Sequence, residues 1–116
     1  MIKPVSEFIE AAKTQCKCVT AAEAKSLLEK NPDATIIDVR EPKEAEEAKL
    51  SNSINIPRGL LEMKIVDLCP NPDQPIFIHC GAGGRASMAA ARLQEMGYTN
   101  VHVINAKFTE IKETLD

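Results

Sequence analysis

The stretch from Pro75 to Gly97 constrains the fold of this chain more than any other part of the sequence. It carries a strand candidate, a glycine-rich turn and a helix candidate in succession. The run 76–78 is apolar, contains β-branched residues and follows a proline, which is typical of a buried strand. Apolar residues then recur at helical spacing, and Gly97 gives a stop signal just past them. These residues are Ala86, Ala89, Ala90, Leu93 and Met96.

The turn between this strand and this helix has the composition of an anion-binding loop. It reads Cys80, Gly81, Ala82, Gly83, Gly84, Arg85. Glycines allow backbone N–H groups to turn inward around a small anion, and the N-terminus of a helix adds positive potential. Both effects favour the thiolate form of a cysteine, which is its nucleophilic form. We therefore predict that Cys80 is a nucleophile; the alternative is a small buried cysteine that ends a strand.

Strand candidates alternate with helix candidates along the rest of the chain. Apolar segments predict strands at residues 18–19, 35–39, 54–56, 76–78 and 101–104. Helical spacing predicts helices at residues 4–13, 43–48 and 60–66, one from the capping box at Thr20 to before Asn31, and a last one with Phe108, Ile111 and Leu115 on one face. Because parallel strands need helical crossovers, we expect an α/β sandwich with a mostly parallel five-stranded sheet.

The length of the chain sets the expected domain organisation. With 116 residues it is long enough for one hydrophobic core and too short for two. We expect one domain over residues 1–116, in which residues 1–15 form an N-terminal helical extension. The first helix would pack through its apolar face, which is made of Val5, Phe8, Ile9 and Ala12.

Three further charged residues are candidates for the neighbourhood of the site. Asp38 and Arg40 lie near the carboxyl end of the strand at 35–39, and ligands bind beyond such ends in open α/β sheets. A buried Asp38 needs a partner, so we predict that it supports the site. Arg40 either faces the site or neutralises Asp38. Arg58 either neighbours the anion site or pairs with Glu62, four residues later.

Composition excludes several other functions. A net charge of −3, three Phe, one Tyr and no Trp argue against a nucleic-acid partner. The four cysteines and two histidines lack zinc-ligand spacing, so we expect no metal, and we assign no role to Cys16, Cys18 and Cys69. No apolar run approaches the roughly 20 residues that span a bilayer. The N-terminus has no apolar signal core either, so we expect no membrane partner and a cytoplasmic location.

Three motifs resemble the rhodanese (sulfurtransferase) family. The segment CGAGGR at 80–85 is similar to its CxxGxR active-site loop. The segment IIDVREP at 36–42 resembles its [LI]-I-D-V-R-E-P motif, and SINIPRG at 53–59 resembles A-I-N-I-P-x-G. They stand in family order and with family-like separations, so the resemblance covers roughly residues 18–108. The chain departs from the family pattern at Ala45 and in the segment 48–53.

The resemblance implies a rhodanese-like three-layer sandwich and sulfur transfer in two displacement steps. Cys80 would attack the outer sulfur of a small anionic donor such as thiosulfate, become a persulfide, and pass that sulfur to cyanide or to a thiol, protein thiols included. The N–H groups of residues 81–85 would stabilise the persulfide, and the Arg85 side chain would attract the donor. No cofactor is implied. His79 has no catalytic role, because adjacent strand residues face opposite sides of a sheet.

Two other interpretations stay open at this point. Phosphatases and arsenate reductases also combine a cysteine, an amide-lined loop and an arginine, but they resemble C-x-x-x-x-x-R, with five intervening residues. Cys80 and Arg85 are separated by four. The shorter ring favours a single bound sulfur over a tetrahedral phosphate. The second alternative is a redox-sensing or partner-binding module that uses Cys80 without turnover.

Overall fold

The computed structural model describes residues 1–116, and its five strands form one parallel sheet. The strands are β1 (Lys17–Val19), β2 (Thr35–Asp38), β3 (Ser53–Asn55), β4 (Ile76–His79) and β5 (Val101–Ile104). They lie side by side in the order β1, β5, β4, β2, β3, and every neighbouring pair is parallel. All four residues of β4, the central strand, are buried. The predicted α/β fold with a five-stranded, parallel sheet is confirmed.

Six α-helices connect and flank these strands. They are α1 (Val5–Gln15), α2 (Ala21–Lys30), α3 (Pro42–Glu47), α4 (Leu61–Leu68), α5 (Gly84–Met96) and α6 (Phe108–Leu115). A short 3-10 helix, Arg58–Leu60, precedes α4. The predicted capping box is present, because the Thr20 side chain accepts the Glu23 N–H and the Glu23 carboxylate accepts the Thr20 N–H.

The alternation of side chains along β4 divides the core in two. Ile76 and Ile78 belong to a cluster that includes Leu61 of α4 and Leu93 of α5. Phe77 points to the other face and packs in a second cluster, with residues of α2, β5 and α6. Because successive strand residues alternate between faces, Cys80 lies on the α4 and α5 face while His79 lies on the face that α6 covers. The helices therefore form a layer on each side of the sheet.

Two predicted packing faces differ from the structure. On α1, Ala12 is buried and Ile9 is half-buried, but Val5 and Phe8 are 63% and 55% exposed. The main neighbour of α1 is a single helix, α5, so only a narrow stripe of its apolar face is covered.

The prediction that Met96 completes the inner face of α5 is wrong, since this side chain is 43% exposed. The chain turns at Gly97, where φ is +114°, and the Tyr98 N–H then bonds the carbonyl of Leu93. Tyr98 fills the core at this end of the helix in place of Met96.

Candidate active site

The Cys80 sulfur lies at the carboxyl end of β4 and accepts two backbone hydrogen bonds. The N–H of Gly83 donates to Sγ at 3.0 Å and the N–H of Ala86 donates at 3.3 Å. Cys80 is only 1% exposed. Two N–H dipoles and the N-terminus of α5 therefore bring positive potential to the sulfur, which stabilises negative charge there.

The turn that surrounds this sulfur is fixed by its glycines and by neighbouring elements. Gly83 has a φ of +105°, and a Cβ at this position would collide with the side-chain oxygen of Asn105. The carbonyl of Gly83 accepts hydrogen bonds from both the N–H and the Oγ–H of Ser87, at 2.9 and 2.6 Å. The carbonyl of Gly81 accepts the N–H of Phe108 at 2.9 Å. The carbonyl groups of Gly81 and Gly83 are thereby engaged by α6 and α5.

Four further N–H groups of the turn donate to no protein acceptor. They belong to Gly81, Ala82, Gly84 and Arg85. The sequence predicted N–H groups from residues 81–85 around the sulfur, and the structure adds that of Ala86. This residue is the third of α5, and the first N–H groups of any helix lack partners within the helix. The predicted start of the helix was the signal that could have identified Ala86.

Arg85 is held by a carboxylate that the sequence analysis missed. Its Nη1 lies 2.6 Å from Oε1 of Glu44, and its Nη2 lies 3.2 Å from Oε2. The hydrogen bond from Arg85 is the main cause that lowers the pKa of Glu44 to about 2. The Glu44 carboxylate in turn raises the pKa of Arg85, with smaller contributions from Cys80 and Glu41. The guanidinium lies next to Gly81, because a Cβ there would be 3.1 Å from Nη2.

Asp38 and Arg40 form a buried ion pair. Arg40 donates to the carboxylate through Nε at 3.0 Å and through Nη2 at 2.8 Å, and the two side chains are 6% and 0% exposed. Nη2 also donates to the carbonyl of Ala48 at 2.6 Å, and the guanidinium lies 3.8 Å from the centre of the Phe108 ring. Of the two predicted alternatives for Arg40, the structure therefore shows neutralisation of Asp38.

Of its two predicted alternatives, Arg58 shows the pairing with Glu62. Its Nη1 lies 2.8 Å from Oε1 of Glu62, four residues later in the chain. Its N–H donates to the carbonyl of Val39, and it makes no hydrogen bond to the Cys80 turn. The structure shows the predicted pairing with Glu62, and the place of Arg58 beside the anion site stays a prediction.

His79 points away from the turn. Its ring stacks on Phe108, with centroids 5.9 Å apart, and both ring nitrogens are buried without a hydrogen-bond partner. Burial lowers the pKa of His79.

All four cysteines are free thiols, and no group of three or more metal-ligating side chains is present. None of the six helices combines the length and the apolarity that a membrane crossing requires.

Comparison with known sequences identifies one family. The profile described as "Rhodanese-like domain" matches residues 20–114. The chain is 31% identical to the mitochondrial thiosulfate sulfurtransferase RDL2 of Saccharomyces cerevisiae, over 81% of this chain and 71% of the relative. It is 34% identical to a tRNA sulfurtransferase of Shewanella piezotolerans, over 88% of this chain and 20% of the relative.

Other curated relatives are longer and differ in name. The chain spans 40%, 27% and 58% of the lengths of three of them. One of these three, from Erwinia tasmaniensis, is a tRNA uridine(34) hydroxylase, 32% identical over 78% of this chain.

Solved structures share the fold. The polysulfide-sulfur transferase homodimer of Wolinella succinogenes is 29% identical, with a TM-score of 0.77 over 92% of this chain and 80% of that one. A Rhodopseudomonas palustris protein, described as of unknown function and a possible tyrosine phosphatase, is 27% identical, with a TM-score of 0.83 over 97% of this chain and 92% of that one.

Proposed function

This chain belongs to the rhodanese-like domain family, and from that premise we propose that it is a sulfurtransferase whose Cys80 carries the transferred sulfur. The observation that carries the proposal is the pair of N–H groups, from Gly83 and Ala86, aimed at Sγ. Backbone donors fixed around a sulfur stabilise negative charge without any rearrangement during the reaction. A thiolate nucleophile and a persulfide anion both need that stabilisation.

The first step is a displacement at sulfur. The Cys80 thiolate attacks the outer sulfur of a sulfane-sulfur donor such as thiosulfate and forms a new S–S bond. The S–S bond of the donor breaks, and its electron pair leaves with sulfite. Cys80 is left as a persulfide, and the N–H groups of the turn that lack a protein acceptor are suited to bind its outer sulfur.

The second step returns the enzyme to its starting state. A thiophilic acceptor, cyanide or a thiolate, attacks the outer sulfur of the persulfide. The S–S bond breaks, its electron pair returns to Sγ, and the product is thiocyanate or a new persulfide. Two successive displacements through a covalent intermediate give ping-pong kinetics.

The charged residues receive different roles in this proposal. Arg85, beside Gly81 and partly exposed, binds the anionic end of the donor. Asp38 and Arg40 support the site from the interior by fixing the backbone after β2. Arg58, which pairs with Glu62 and makes no hydrogen bond to the turn, is given no step in this proposal.

The spacing between Cys80 and Arg85 supports sulfur transfer over phosphate hydrolysis. Four residues separate them, so the ring of N–H groups is tight. Three phosphate oxygens would need more room than a single sulfur atom. The related structure described as a possible tyrosine phosphatase makes a phosphatase assay part of the test.

Intact-protein mass spectrometry tests the proposal. The protein is exposed to thiosulfate and then to cyanide, alongside Cys80→Ser and, as a matched buried cysteine, Cys69→Ser. We expect the wild type and Cys69→Ser to gain one sulfur atom and lose it as thiocyanate. Cys80→Ser should gain none, and its transfer rate should fall by more than about a thousandfold, as for other nucleophile deletions.

Two results would contradict the proposal. One is a cyanide-labile sulfur that peptide mapping assigns to Cys16, Cys18 or Cys69. The other is hydrolysis of an aryl phosphate that depends on Cys80 and exceeds sulfur transfer. A protein that reacts with oxidants at Cys80 but never acquires sulfur would favour the redox-sensing alternative.

A further inference from the structure

Arg85, the arginine proposed to bind the donor, already shares its charge with a carboxylate. Glu44 engages Arg85 through both carboxylate oxygens, at 2.6 and 3.2 Å. The same carboxylate accepts the N–H of Glu41 at 3.0 Å, which fixes it at the start of α3. The capping box therefore holds the Glu44 carboxylate at the position where it pairs with Arg85.

The other charged groups near Arg85 do not restore the positive charge that Glu44 offsets. Glu41 adds a second negative charge whose field reaches Arg85. Arg40, the nearby cation on the same segment, is buried against Asp38. A donor that enters the turn thus meets N–H groups without partners, the paired Arg85, and the second negative charge of Glu41. That environment disfavours a second negative charge on the donor.

We propose that Glu44 is a specificity-determining residue. It selects sulfane-sulfur donors whose leaving group carries one negative charge, such as persulfides and thiosulfonates, over the dianion thiosulfate, whose leaving group carries two. This inference rests on the proposed sulfurtransferase function. In this proposal Glu44 makes no contact with the reacting sulfur. It acts through its negative charge, which lies beside the arginine that the donor approaches.

Two donors isolate the charge of the leaving group from the chemistry of the step. With thiosulfate, the Cys80 thiolate takes the outer sulfur and sulfite leaves with the electron pair of the broken S–S bond. With methanethiosulfonate the same bonds form and break, and methanesulfinate leaves. A methyl group replaces one anionic oxygen, so the second donor carries one negative charge less.

The decisive variant is Glu44→Gln, and its matched control is Glu46→Gln. Glutamine keeps an acceptor for the N–H of Glu41 and one bond to Arg85, while it removes the charge. Glu46 lies on the same helix, is exposed and makes no ion pair, so its variant removes an equal charge elsewhere. For each protein the measured quantity is kcat/KM with thiosulfate divided by kcat/KM with methanethiosulfonate. Comparing this ratio between variants cancels the intrinsic reactivity of the two donors.

We expect the ratio to rise about tenfold in Glu44→Gln, the size expected when one charge several ångströms from a second anionic group is removed. The gain should come from thiosulfate and should shrink with added salt, because exposed charges are screened. Glu46→Gln should change the ratio by less than about twofold. The exposed pair contributes little to folding, so both variants should be stable. Glu44→Ala, which removes charge and hydrogen bonds together, should raise the ratio as well.

Three outcomes separate the possible failures. A ratio unchanged in Glu44→Gln and Glu44→Ala overturns the inference. If the ratio is unchanged because kcat/KM falls equally for both donors, Glu44 serves only to hold Arg85 in position. Failure of both donors to place sulfur on Cys80 of the wild type overturns the proposed function itself, and the inference with it.

Discussion

The carboxyl ends of two neighbouring strands, β2 and β4, differ in how completely their polar groups are satisfied. At the end of β2, Asp38 accepts from the side chain and the N–H of Arg40, and Arg40 also bonds Ala48. This corner is buried and closed. At the end of β4, the turn after Cys80 directs two N–H groups to the sulfur and leaves four without a protein acceptor. This turn is open.

From this difference we expect stability to depend on one end and the proposed chemistry to depend on the other. Each end has its own arginine ion pair, but the side chains of Arg40 and Asp38 are 6% and 0% exposed, whereas those of Arg85 and Glu44 are 36% and 40% exposed. A charge buried without its partner is costly, whereas an exposed pair is screened by water. The closed corner should therefore matter for folding, and the exposed pair should matter for what approaches Cys80.

The largest expected effect on stability comes from breaking the closed corner. Asp38→Asn keeps an acceptor for the N–H of Arg40 but leaves the guanidinium buried without a counter-charge. We expect the free energy of unfolding to fall by about 3–5 kcal/mol, measured by urea denaturation. The matched control is Glu62→Gln, which breaks the exposed pair with Arg58 and should cost less than about 1 kcal/mol.

Equal losses in Asp38→Asn and Glu62→Gln would break the comparison. They would mean that Arg40 reaches water once Asp38 is neutral, and that the corner is not closed in the sense used above.

A smaller effect should follow from substitution in the open turn. Gly83 has a φ of +105°, so Gly83→Ala should cost about 1–3 kcal/mol through backbone strain, and the collision of the new Cβ with the Asn105 side chain should add to this cost. It should also move the N–H that bonds Cys80, and loss of one such donor typically reduces rate about a hundredfold. Gly97 has a similar φ of +114° and open space around it. Gly97→Ala therefore measures the strain alone, and sulfur transfer should be unchanged.

If Gly97→Ala lowers the rate of transfer as much as Gly83→Ala does, the loss reflects general destabilisation. The proposed role of the Gly83 N–H in sulfur transfer would then be wrong. Comparing both rates at a temperature well below either unfolding midpoint separates these explanations.

The predictions that succeeded concern residues close together in sequence. The strand, turn and helix around Cys80 are contiguous, so the local pattern identified them. Asp38 and Arg40 are two residues apart, and their pairing was one of the two predicted alternatives. The pairing of Glu44 with Arg85 was missed because 41 residues separate them. Only the sheet order, which places β2 beside β4, brings α3 to the turn.

Exposure was harder to predict than secondary structure. Val5 and Phe8 have the spacing of a buried face, but spacing does not tell whether a second element covers the helix. Phe108 was expected to contribute one apolar face of the last helix. Its further contacts, with the ring of His79 and the guanidinium of Arg40, depend on how α6 packs against the sheet.

The smallest effect is expected where the two strand ends meet. Asp38 and His79 are partners in the register of β2 and β4. The Phe108 ring stacks on His79, and the Arg40 guanidinium lies over the Phe108 ring. Both nitrogens of His79 are buried without partners. His79→Phe keeps an aromatic ring of somewhat larger volume and removes these unsatisfied groups, so the cost of the added volume and the gain from removing two unsatisfied nitrogens oppose each other. We expect the free energy of unfolding at pH 7 to change by no more than about 1 kcal/mol.

The same variant should change how stability depends on pH. Burial lowers the pKa of His79 in the folded protein; the charge of Asp38 acts in the opposite direction and that of Arg40 in the same direction. Below about pH 6.5 the unfolded chain therefore binds a proton that the folded chain does not, so stability falls as the pH falls. His79→Phe should flatten this decline between about pH 7 and pH 5. Burial also lowers the pKa of His102, which should account for the remaining slope. An unchanged slope in His79→Phe would show that His79 gains a proton in the folded state, and that the boundary between the closed corner and the open turn admits water.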